Sequence, residues 1–481
     1  MKKLIGLLSD SSLFRKCYIV CLFFTMISYV SIGAYTLLTF LVIWGVVLTF
    51  KNAIKNKAMV RMRYALWLFA FLTVAIISVM LHFGSGLFFN IALLFHYSIC
   101  FFIFYDMHTE KGFDMKKEVF FFARFFVYAT SIIGIVGFLF LCFGIYFEFG
   151  GFKFIIFDNR FTGLYANPNY LGFASGVTLV FIHMLTKKDF VSAFLPKRVR
   201  KRILIPAICI NVMSLFLCDS NTSLVFICSY VIFICVVGLF KKSPVRHTRK
   251  QVTLKIFSNL FVIAVTFALL VGLRIFAQSI SSLIVNATSS VVPPNVGIFQ
   301  SVDQITFTHK NTSLDSGRVK LLRQGLDVFT NNPFFGIGRG NLYEYGKKYL
   351  SSGFAFSNNS VKALAPFSTD LHNGYLTILV SHGIVGFSIF AIFGIKFAKH
   401  FIHGVFTDPR AIHNDILPSI FAFLCAYLLL AFAEKALLCD ISFMVVIFWL
   451  FMGYASCYLV KYEPKHSQEY NSLLHKLLSN K

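Results

Sequence analysis

Two arginines and one histidine have the side chains that phosphate chemistry and proton transfer require. Arg160 and Arg318 lie in polar segments between apolar stretches, and His372 directly precedes a further apolar stretch. A guanidinium group can donate two parallel hydrogen bonds to a phosphate, and a neutral imidazole can accept the proton of a hydroxyl group. These three residues are therefore candidates for a catalytic site.

The segment that contains Arg160 ends at a predicted helix start. Asn167 is a residue type preferred at the N-cap, and Pro168 suits the first helical position. The free backbone N–H groups of this helix start would form an anion-binding arrangement beside Arg160. We expect Asn167 and Asn169 to contact the substrate, although an ordinary helix start with an interfacial arginine would contain the same residues.

Arg318 opens a run of residues with helical periodicity. Its apolar positions form one stripe, which consists of Val319, Leu322, Leu326 and Phe329. Such a helix would lie in the membrane interface, with the stripe against lipid or against the helix bundle. Arg323 flanks the same stripe and is a candidate for substrate binding. Both arginines could instead extend to lipid phosphates and have no other role.

The run is followed by a break, Asn332-Pro333-Phe334-Phe335-Gly336-Ile337-Gly338. Proline and the two glycines prevent the helix from continuing. No Gly-Lys-Ser or Gly-Lys-Thr follows, so the segment resembles a nucleotide phosphate loop only superficially. We interpret it as a turn that orients Arg339, a further candidate for substrate binding, and the segment from Tyr343 to Tyr349.

His372 lies at another predicted helix start, after the capping residues Ser368-Thr369-Asp370. A helix N-terminus disfavours a positive charge, so we expect a low pKa for His372 and the neutral imidazole that a general base requires. A histidine that only donates hydrogen bonds is the alternative. Asn373 and Glu434 are further candidates for substrate binding, and Glu434 could instead pair with Lys435 or with a loop arginine.

Composition identifies the elements that must position these residues. Of the 481 residues 57% are hydrophobic and 14% charged, and the mean hydropathy is +0.74, which indicates a polytopic membrane protein. The basic residues that give the formal charge of +25 lie in short blocks between apolar segments, which argues against a nucleic-acid partner. The 11 cysteines lie mostly within apolar segments and suggest neither disulfides nor a metal cluster. The N-terminus is expected to be an uncleaved cytoplasmic tail.

The fold class that we predict is an all-α bundle of about twelve transmembrane helices. The predicted spans lie near 15–30, 34–50, 64–81, 87–105, 119–147, 164–185, 203–218, 222–240, 254–276, 371–395, 416–434 and 440–460. Most of the 45 Lys and Arg residues fall in alternate connecting segments, which places both termini in the cytoplasm.

This topology divides the chain into four parts. Residues 1–276 form an N-terminal membrane bundle, 277–370 a large extracytoplasmic loop with the amphipathic helix, 371–460 the C-terminal membrane helices and 461–481 a cytoplasmic tail. The large loop therefore lies between helices 9 and 10, on the same side as a smaller loop from Glu148 to Gly163. We expect the active site on this extracytoplasmic face.

The order of these motifs resembles that of the bacterial O-antigen polymerase and O-antigen ligase family. The motifs are Arg160 with Gly163 and Asn167-Pro168-Asn169, Ser316-Gly317-Arg318, Pro333 to Gly338, and His372-Asn373 with Gly383 and Gly386. The resemblance covers about residues 150–400. It implies a helical bundle of the GT-C type whose members transfer glycans carried on undecaprenyl pyrophosphate. After the seventh span the chain departs from the family, because it has Asp219-Ser220-Asn221-Thr222 where members often have Ser-Arg.

This resemblance agrees with the chemistry of the residues. Arginines and helix N-termini can stabilise a pyrophosphate leaving group, and no predicted outer loop contains an Asp-x-Asp pair, so we expect transfer without a metal or another cofactor. The expected substrates are glycans linked to undecaprenyl pyrophosphate. Membrane lipids, a chain-length regulator and a flippase are candidate partners.

Polymerase and ligase use the same donor and differ in the acceptor. We favour a polymerase of O-antigen, capsule or exopolysaccharide in the bacterial inner (plasma) membrane, because the sequence shows no extra C-terminal acceptor domain. A ligase that uses another acceptor is one alternative. A polysaccharide transporter or flippase is another, but that class predicts ionisable groups near the bilayer midplane and two related halves, whereas charges within the spans are sparse and no repeat is evident.

Overall fold

The computed structural model is mostly helical. It describes residues 6–55, 61–84, 86–110, 112–143, 145, 147–149, 152–157, 160–187, 197–240, single positions between 257 and 283, 318–350, 370–407 and 416–462. Its helices before the large loop are α1 (Ser11–Phe24), α2 (Val30–Lys55), α3 (Ala65–Leu81), α4 (Leu87–Ile99), α5 (Met115–Cys142), α6 (Pro168–Leu185), α7 (Lys197–Leu217) and α8 (Asn221–Phe240). After them come α9 (Arg318–Asn331), α10 (Leu342–Tyr349), α11 (Gly374–Thr407), α12 (Leu417–Leu430) and α13 (Phe443–Tyr462).

Apolar length identifies the helices that can cross a membrane. Among the described residues, six helices are long and apolar enough: Val30–Ile54, Leu87–Tyr105, Met115–Cys142, Pro168–Leu185, Asn221–Leu239 and Gly374–Phe406. Three apolar helices are shorter: Ala65–Leu81, Leu417–Leu430 and Phe443–Leu459. The described positions between 257 and 283, in and beyond the predicted ninth span, are helical. The chain is thus an integral membrane protein, while the count of about twelve spans and the side on which each loop lies stay predictions.

A small antiparallel sheet corrects the expectation of an all-α fold. Strands β1 (Phe147–Phe149), β2 (Phe152–Phe157) and β3 (Arg160–Gly163) pair in the order β1-β2-β3. The residues after β3 then bond to the turn between α1 and α2, because Ser28 N donates to Leu164 O at 2.9 Å and Ala166 N to Met26 O at 3.0 Å. This attachment fixes the turn between the first two helices at residues 25–29, earlier than the predicted turn at 31–33.

Helix α4 continues as a π-helix, Cys100–Tyr105, whose residues are all buried. This segment packs against α13 in the centre of the bundle, where Phe101 and Tyr105 contact the buried Trp449. The indole N–H of Trp449 donates to Leu437 O at 2.9 Å, which attaches the loop between α12 and α13 to this core.

A buried arginine connects α1 to the loop that precedes α5. Arg15 is fully buried and donates to the carboxylate of Glu118 with Nε–Oε1 and Nη2–Oε2 distances of 3.0 and 2.9 Å. It also donates to Glu110 and, at 2.9 Å, to the carbonyl oxygen of Ile103. Because a buried charge is costly without a partner, these contacts hold α1, the π-helix and α5 together.

Helix α11 is interrupted at Gly383, which has φ 65° and ψ −174°. The segment Pro333–Gly338 lies in this break. The N–H groups of Ile384 and Val385 donate to the carbonyl oxygens of Pro333 and Phe334 at 2.7 and 3.2 Å. In return, the N–H groups of Ile337 and Gly338 donate to Val380 and Ser381 at 3.1 and 2.9 Å. The predicted turn is therefore a segment that completes the hydrogen bonding of a broken membrane helix.

Helix α9 packs on the start of α11 through a face that the sequence analysis did not predict. Its buried residues are Leu321, Gln324, Gly325 and Val328. At Gly325 there is no space for a side chain, because a Cβ atom would lie 2.6 Å from Leu376. The predicted apolar stripe is largely exposed instead, with exposed fractions of 44% for Val319 and 40% for both Leu322 and Leu326. Its contact with lipid stays a prediction.

Candidate active site

The central contacts of the candidate site involve Arg318, Glu434 and His372. The Nη2 atom of Arg318 lies 3.3 Å from Glu434 Oε1, and His372 Nδ1 lies 3.4 Å from Glu434 Oε2. The hydroxyl group of Thr222 also donates to Glu434 Oε1, at 3.4 Å. Glu434 is nearly buried, whereas about a third of the Arg318 and His372 side chains is exposed. The carboxylate thus connects a potential phosphate ligand with a potential base.

Four elements meet at these contacts. Arg318 is the first residue of α9, Thr222 lies in the first turn of α8, His372 lies two residues before the start of α11 and Glu434 follows α12. The start of α11 is fixed to the end of α12, because Gly374 N donates to Ala431 O at 2.7 Å. Backbone contacts between apolar helices therefore set the separation of the polar side chains.

His372 has an unusual backbone and a second acidic neighbour. Its φ is 45°, and its N–H donates to Asp370 Oδ1 at 2.9 Å. Burial favours the neutral imidazole, but the hydrogen bond to Glu434 and the charges of Asp370 and Glu434 outweigh burial and raise the pKa of His372. The sequence analysis predicted that the helix N-terminus would lower the pKa of His372. This prediction is wrong, because the negative charges of two nearby carboxylates outweigh the effect of the helix dipole.

A second ion cluster adjoins the first. Lys435 Nζ lies 3.4 Å from Asp370 Oδ2 and 3.5 Å from Asp440 Oδ2. Burial alone would favour neutral Asp370, but the positive charge of Lys435 outweighs it and lowers the pKa of that carboxyl. Burial likewise opposes charged Lys435, and the two aspartates raise its pKa. The cluster therefore holds Asp370 ionised beside His372.

Arg339 lies beneath this second cluster. It is in a 3₁₀ turn, Arg339–Asn341, directly after the segment that occupies the break in α11, and it is 1% exposed. Its charge acts on Asp370 and Lys435. The turn is held against α4, because Gly340 N donates to Asn90 Oδ1 at 2.6 Å. The structure thus brings Arg339 to the same group of charges, but in a buried position.

Arg160 lies on the other side of the turn between α7 and α8. Its Nε donates to Cys218 O and its Nη2 to Asn169 Oδ1, both at 2.8 Å. Cys218 directly follows α7, and Thr222, only a few residues later, contacts Glu434. The turn that includes residues 219–222, where the chain departs from the pattern of the family that it resembles, therefore contacts Arg160 at one end and Glu434 at the other.

The amide residues mainly stabilise helix starts. The side chain of Asn167 accepts from Asn169 N at 2.8 Å, so the predicted N-cap of α6 is confirmed. Asn373 accepts from Leu376 N at 2.9 Å and donates to Phe432 O at 3.1 Å, which caps α11. The starts of α6, α8 and α11 all lie beside the site and add the partial positive charge of their N-termini.

Arg323 is the one sequence candidate that the structure places apart from these contacts. Its side chain is on the exposed face of α9 and makes no hydrogen bond or ion pair to any residue that the structure describes. Asp370, Lys435, Asp440 and Thr222 were not predicted as site residues. The three charged ones could have been noticed as ionisable residues at the ends of apolar spans, but spacing alone does not reveal their pairing.

A sequence model of the family described as O-antigen ligase matches residues 206–391, less than half of the chain. The matched region runs from α7 into α11, and it includes Arg318, Arg339 and His372 but neither Arg160 nor Glu434. The match agrees with the resemblance that the order of the sequence motifs indicated. No curated protein matches the sequence. In the part of the chain that the structure describes, no group of His, Cys, Asp and Glu residues could hold a metal ion.

Proposed function

We propose that this chain, which matches the O-antigen ligase family model over residues 206–391, transfers a glycan from undecaprenyl pyrophosphate to the hydroxyl group of an acceptor. The observation that supports this best is the pair of contacts of Glu434, at 3.3 Å to Arg318 and at 3.4 Å to His372. They bring a phosphate-binding side chain and a base together, although Glu434 is 116 and 62 residues away from them in sequence.

The geometry assigns a role to each group. Nδ1 of His372 faces Glu434, so Nε2 is the atom that accepts the proton of the acceptor hydroxyl. The acceptor oxygen forms a bond to the anomeric carbon of the donor, and the bond from that carbon to the pyrophosphate oxygen breaks. The negative charge of the leaving pyrophosphate is stabilised by Arg318 and Arg160 and by the starts of α6, α8 and α11.

Asn169 holds the guanidinium group of Arg160 through a side-chain hydrogen bond. We place Asn167, Asn373 and Arg339 in supporting positions, because the first two cap helices and the third is buried under Asp370. A substrate contact of Arg323 would require the glycan or its lipid to extend along the exposed face of α9. The site as a whole is proposed to face the extracytoplasmic side of the inner (plasma) membrane.

The acceptor divides the proposal into two forms. A polymerase, which we favour, adds the growing chain to a second lipid-linked repeat unit of O-antigen, capsule or exopolysaccharide. A ligase transfers the chain to a different acceptor, and this form stays the alternative. If lipid-linked repeat units are the only substrate supplied, a polymerase makes longer chains, whereas a ligase makes none until its own acceptor is added.

The test uses purified protein, reconstituted in lipid, with lipid-linked repeat units. Replacement Arg318→Gln or Arg160→Gln should lower the transfer rate by roughly 10²–10³, as expected for the loss of a contact to the developing charge. Lys320→Gln is the matched control, because it removes one exposed positive charge from the same helix. Equal rates in the Arg318→Gln and Lys320→Gln proteins would refute the role of Arg318.

We further propose that the arginines, and not a metal ion, neutralise the leaving group. Transfer should then continue in excess chelator. Loss of transfer with chelator and recovery with Mg²⁺ or Mn²⁺ would contradict this part of the proposal and leave the family unaffected.

A further inference from the structure

Glu434 is shared by two side chains with opposite tasks. Its Oε1 accepts from Arg318 and its Oε2 faces His372. A phosphate ligand would need the guanidinium group of Arg318, whereas His372 needs a carboxylate that orients its ring and stabilises its protonated form. In the structure, the carboxylate of Glu434 therefore contacts the guanidinium group that the phosphate of the substrate would need.

Of the contacts that Glu434 makes, the one with Arg318 can be replaced by a contact between Arg318 and a phosphate. The distance of 3.3 Å between Arg318 and Glu434 is longer than the roughly 2.7–2.9 Å typical of charge-assisted hydrogen bonds. The Arg318 side chain is 32% exposed and Glu434 only 10%, so Arg318 is the partner with space to turn. Glu434 would keep its contacts with His372 and Thr222 after Arg318 leaves.

We propose that Glu434 is an exchangeable counterion, which a pyrophosphate-linked donor displaces from Arg318 and which then acts on His372 alone. Glu434 is thus a positioning residue that couples donor binding to the base. This inference rests on the proposed function and specifies how that function is regulated.

Charge determines the direction of the coupling. The charged groups that face His372 are Asp370, Glu434 and Arg318, and Arg318 is the one that opposes its protonation. When Arg318 turns to a phosphate, its charge is neutralised and the phosphate adds negative charge, so donor binding makes His372 more basic. By thermodynamic linkage, the donor binds more tightly when His372 is protonated. Affinity should be highest at low pH and decrease as the pH rises through the pKa of His372.

The test measures the affinity of purified protein in lipid nanodiscs for undecaprenyl pyrophosphate, without a glycan, at a series of pH values. The wild type should take up protons on binding. Glu434→Gln removes the carboxylate that competes with the phosphate for Arg318. The affinity for the carrier should therefore stay the same or rise by up to about tenfold, which corresponds to about 1.4 kcal/mol. Turnover should fall at least about tenfold, because the base loses its carboxylate. The lower limb of the pH profile should move to lower pH.

Asp327→Asn is the matched control. It removes an exposed carboxylate from α9, the helix that begins at Arg318. It should leave the lower limb of the pH profile and the affinity for the carrier unchanged. The same change of affinity and turnover in both variants would show that the effect is not specific to Glu434 and would overturn the exchange.

The results separate this inference from the function on which it rests. Wild-type protein that transfers glycan but binds the carrier without proton uptake would overturn the exchange and leave the transferase function standing. The same holds if Glu434→Gln weakens carrier binding tenfold, because the carboxylate would then support the phosphate site. Wild-type protein that binds no carrier would overturn both proposals. If Glu434→Gln fails to fold, the proton uptake of the wild type still decides the question.

Discussion

Replacement of Gly383 by alanine should separate α11 from the segment that occupies its break. The backbone of Gly383, with φ 65° and ψ −174°, lies in a region that is essentially restricted to glycine. A Cβ atom would also overlap the carbonyl group of Phe334 and lie 2.5 Å from Phe335 N. The segment Pro333–Gly338 must therefore move or α11 must straighten.

The magnitude follows from the contacts that are lost. Forcing alanine into this conformation costs of the order of 1–3 kcal/mol. Displacement of Pro333 and Phe334 also breaks their hydrogen bonds with Ile384 and Val385, each with a net contribution of about 1 kcal/mol. We expect the free energy of unfolding to fall by about 3–5 kcal/mol. Glycan transfer should fall as well, because Arg339 follows directly after the displaced segment.

Gly394→Ala provides the control on the same helix. No atom lies within 4 Å of a Cβ atom at Gly394, so alanine should be neutral there or stabilise the helix by up to about 1 kcal/mol. The assay compares thermal unfolding and transfer of both variants in the same detergent. Equal melting temperatures and equal rates for Gly383→Ala and Gly394→Ala would refute the role of the break.

Four further outcomes test other parts of the molecule. His372→Ala and His372→Gln should each lose roughly 10²–10⁴ in turnover while carrier binding persists; an active glutamine variant would show that the histidine only donates hydrogen bonds. In the wild type, where the carboxylates raise the pKa of His372, turnover should increase with pH through a value above the ordinary one of about 6.5. Arg15→Met should lower the free energy of unfolding by about 3–5 kcal/mol, since it leaves buried acidic side chains without their partner. Lys117→Met removes an exposed ion pair of about 0–1 kcal/mol, and a similar effect of both changes in thermal unfolding would contradict this reasoning. Cysteines introduced at Ser192 and Ser352, both outside the described residues, should be labelled from opposite sides of the membrane; labelling from one side would reject the predicted topology.

Apolar runs and capping residues predicted the helices well. The N-cap at Asn167 was recognisable because both its own side chain and the following Pro168 have clear local preferences. The turn between α1 and α2 was placed too late, since the backbone of residues 26–28 is fixed by residues 164–166, far away in sequence. The sheet was missed for a different reason. Its three strands are neighbours in sequence, but they are short and rich in Phe, so their local pattern is weak.

The face of α9 illustrates a second limit. The stripe around Leu322 consists of apolar residues, whereas the face around Leu321 includes Gln324 and Gly325, so periodicity did not identify the face that packs on the protein. The decision comes from Gly325, whose lack of a side chain lets α9 approach Leu376. Residue type was likewise sufficient to select His372 and Arg318 as candidates. Glu434 was a candidate as well, and its predicted alternative, a pair with a loop arginine, occurs with Arg318. Its contact with His372 could not be assigned, because ion pairs between distant segments depend on helix packing.

The hydrogen bonds at the break in α11 make the order in which the two segments are synthesised important for membrane insertion. A bent helix with unpaired N–H groups would be costly in lipid, since each unsatisfied backbone group there costs several kcal/mol. The ribosome makes Pro333–Gly338 before it makes α11. The partners of the broken helix therefore already exist when α11 enters the membrane. A permuted chain with this segment after α11 would have to insert the helix first and complete its hydrogen bonds later.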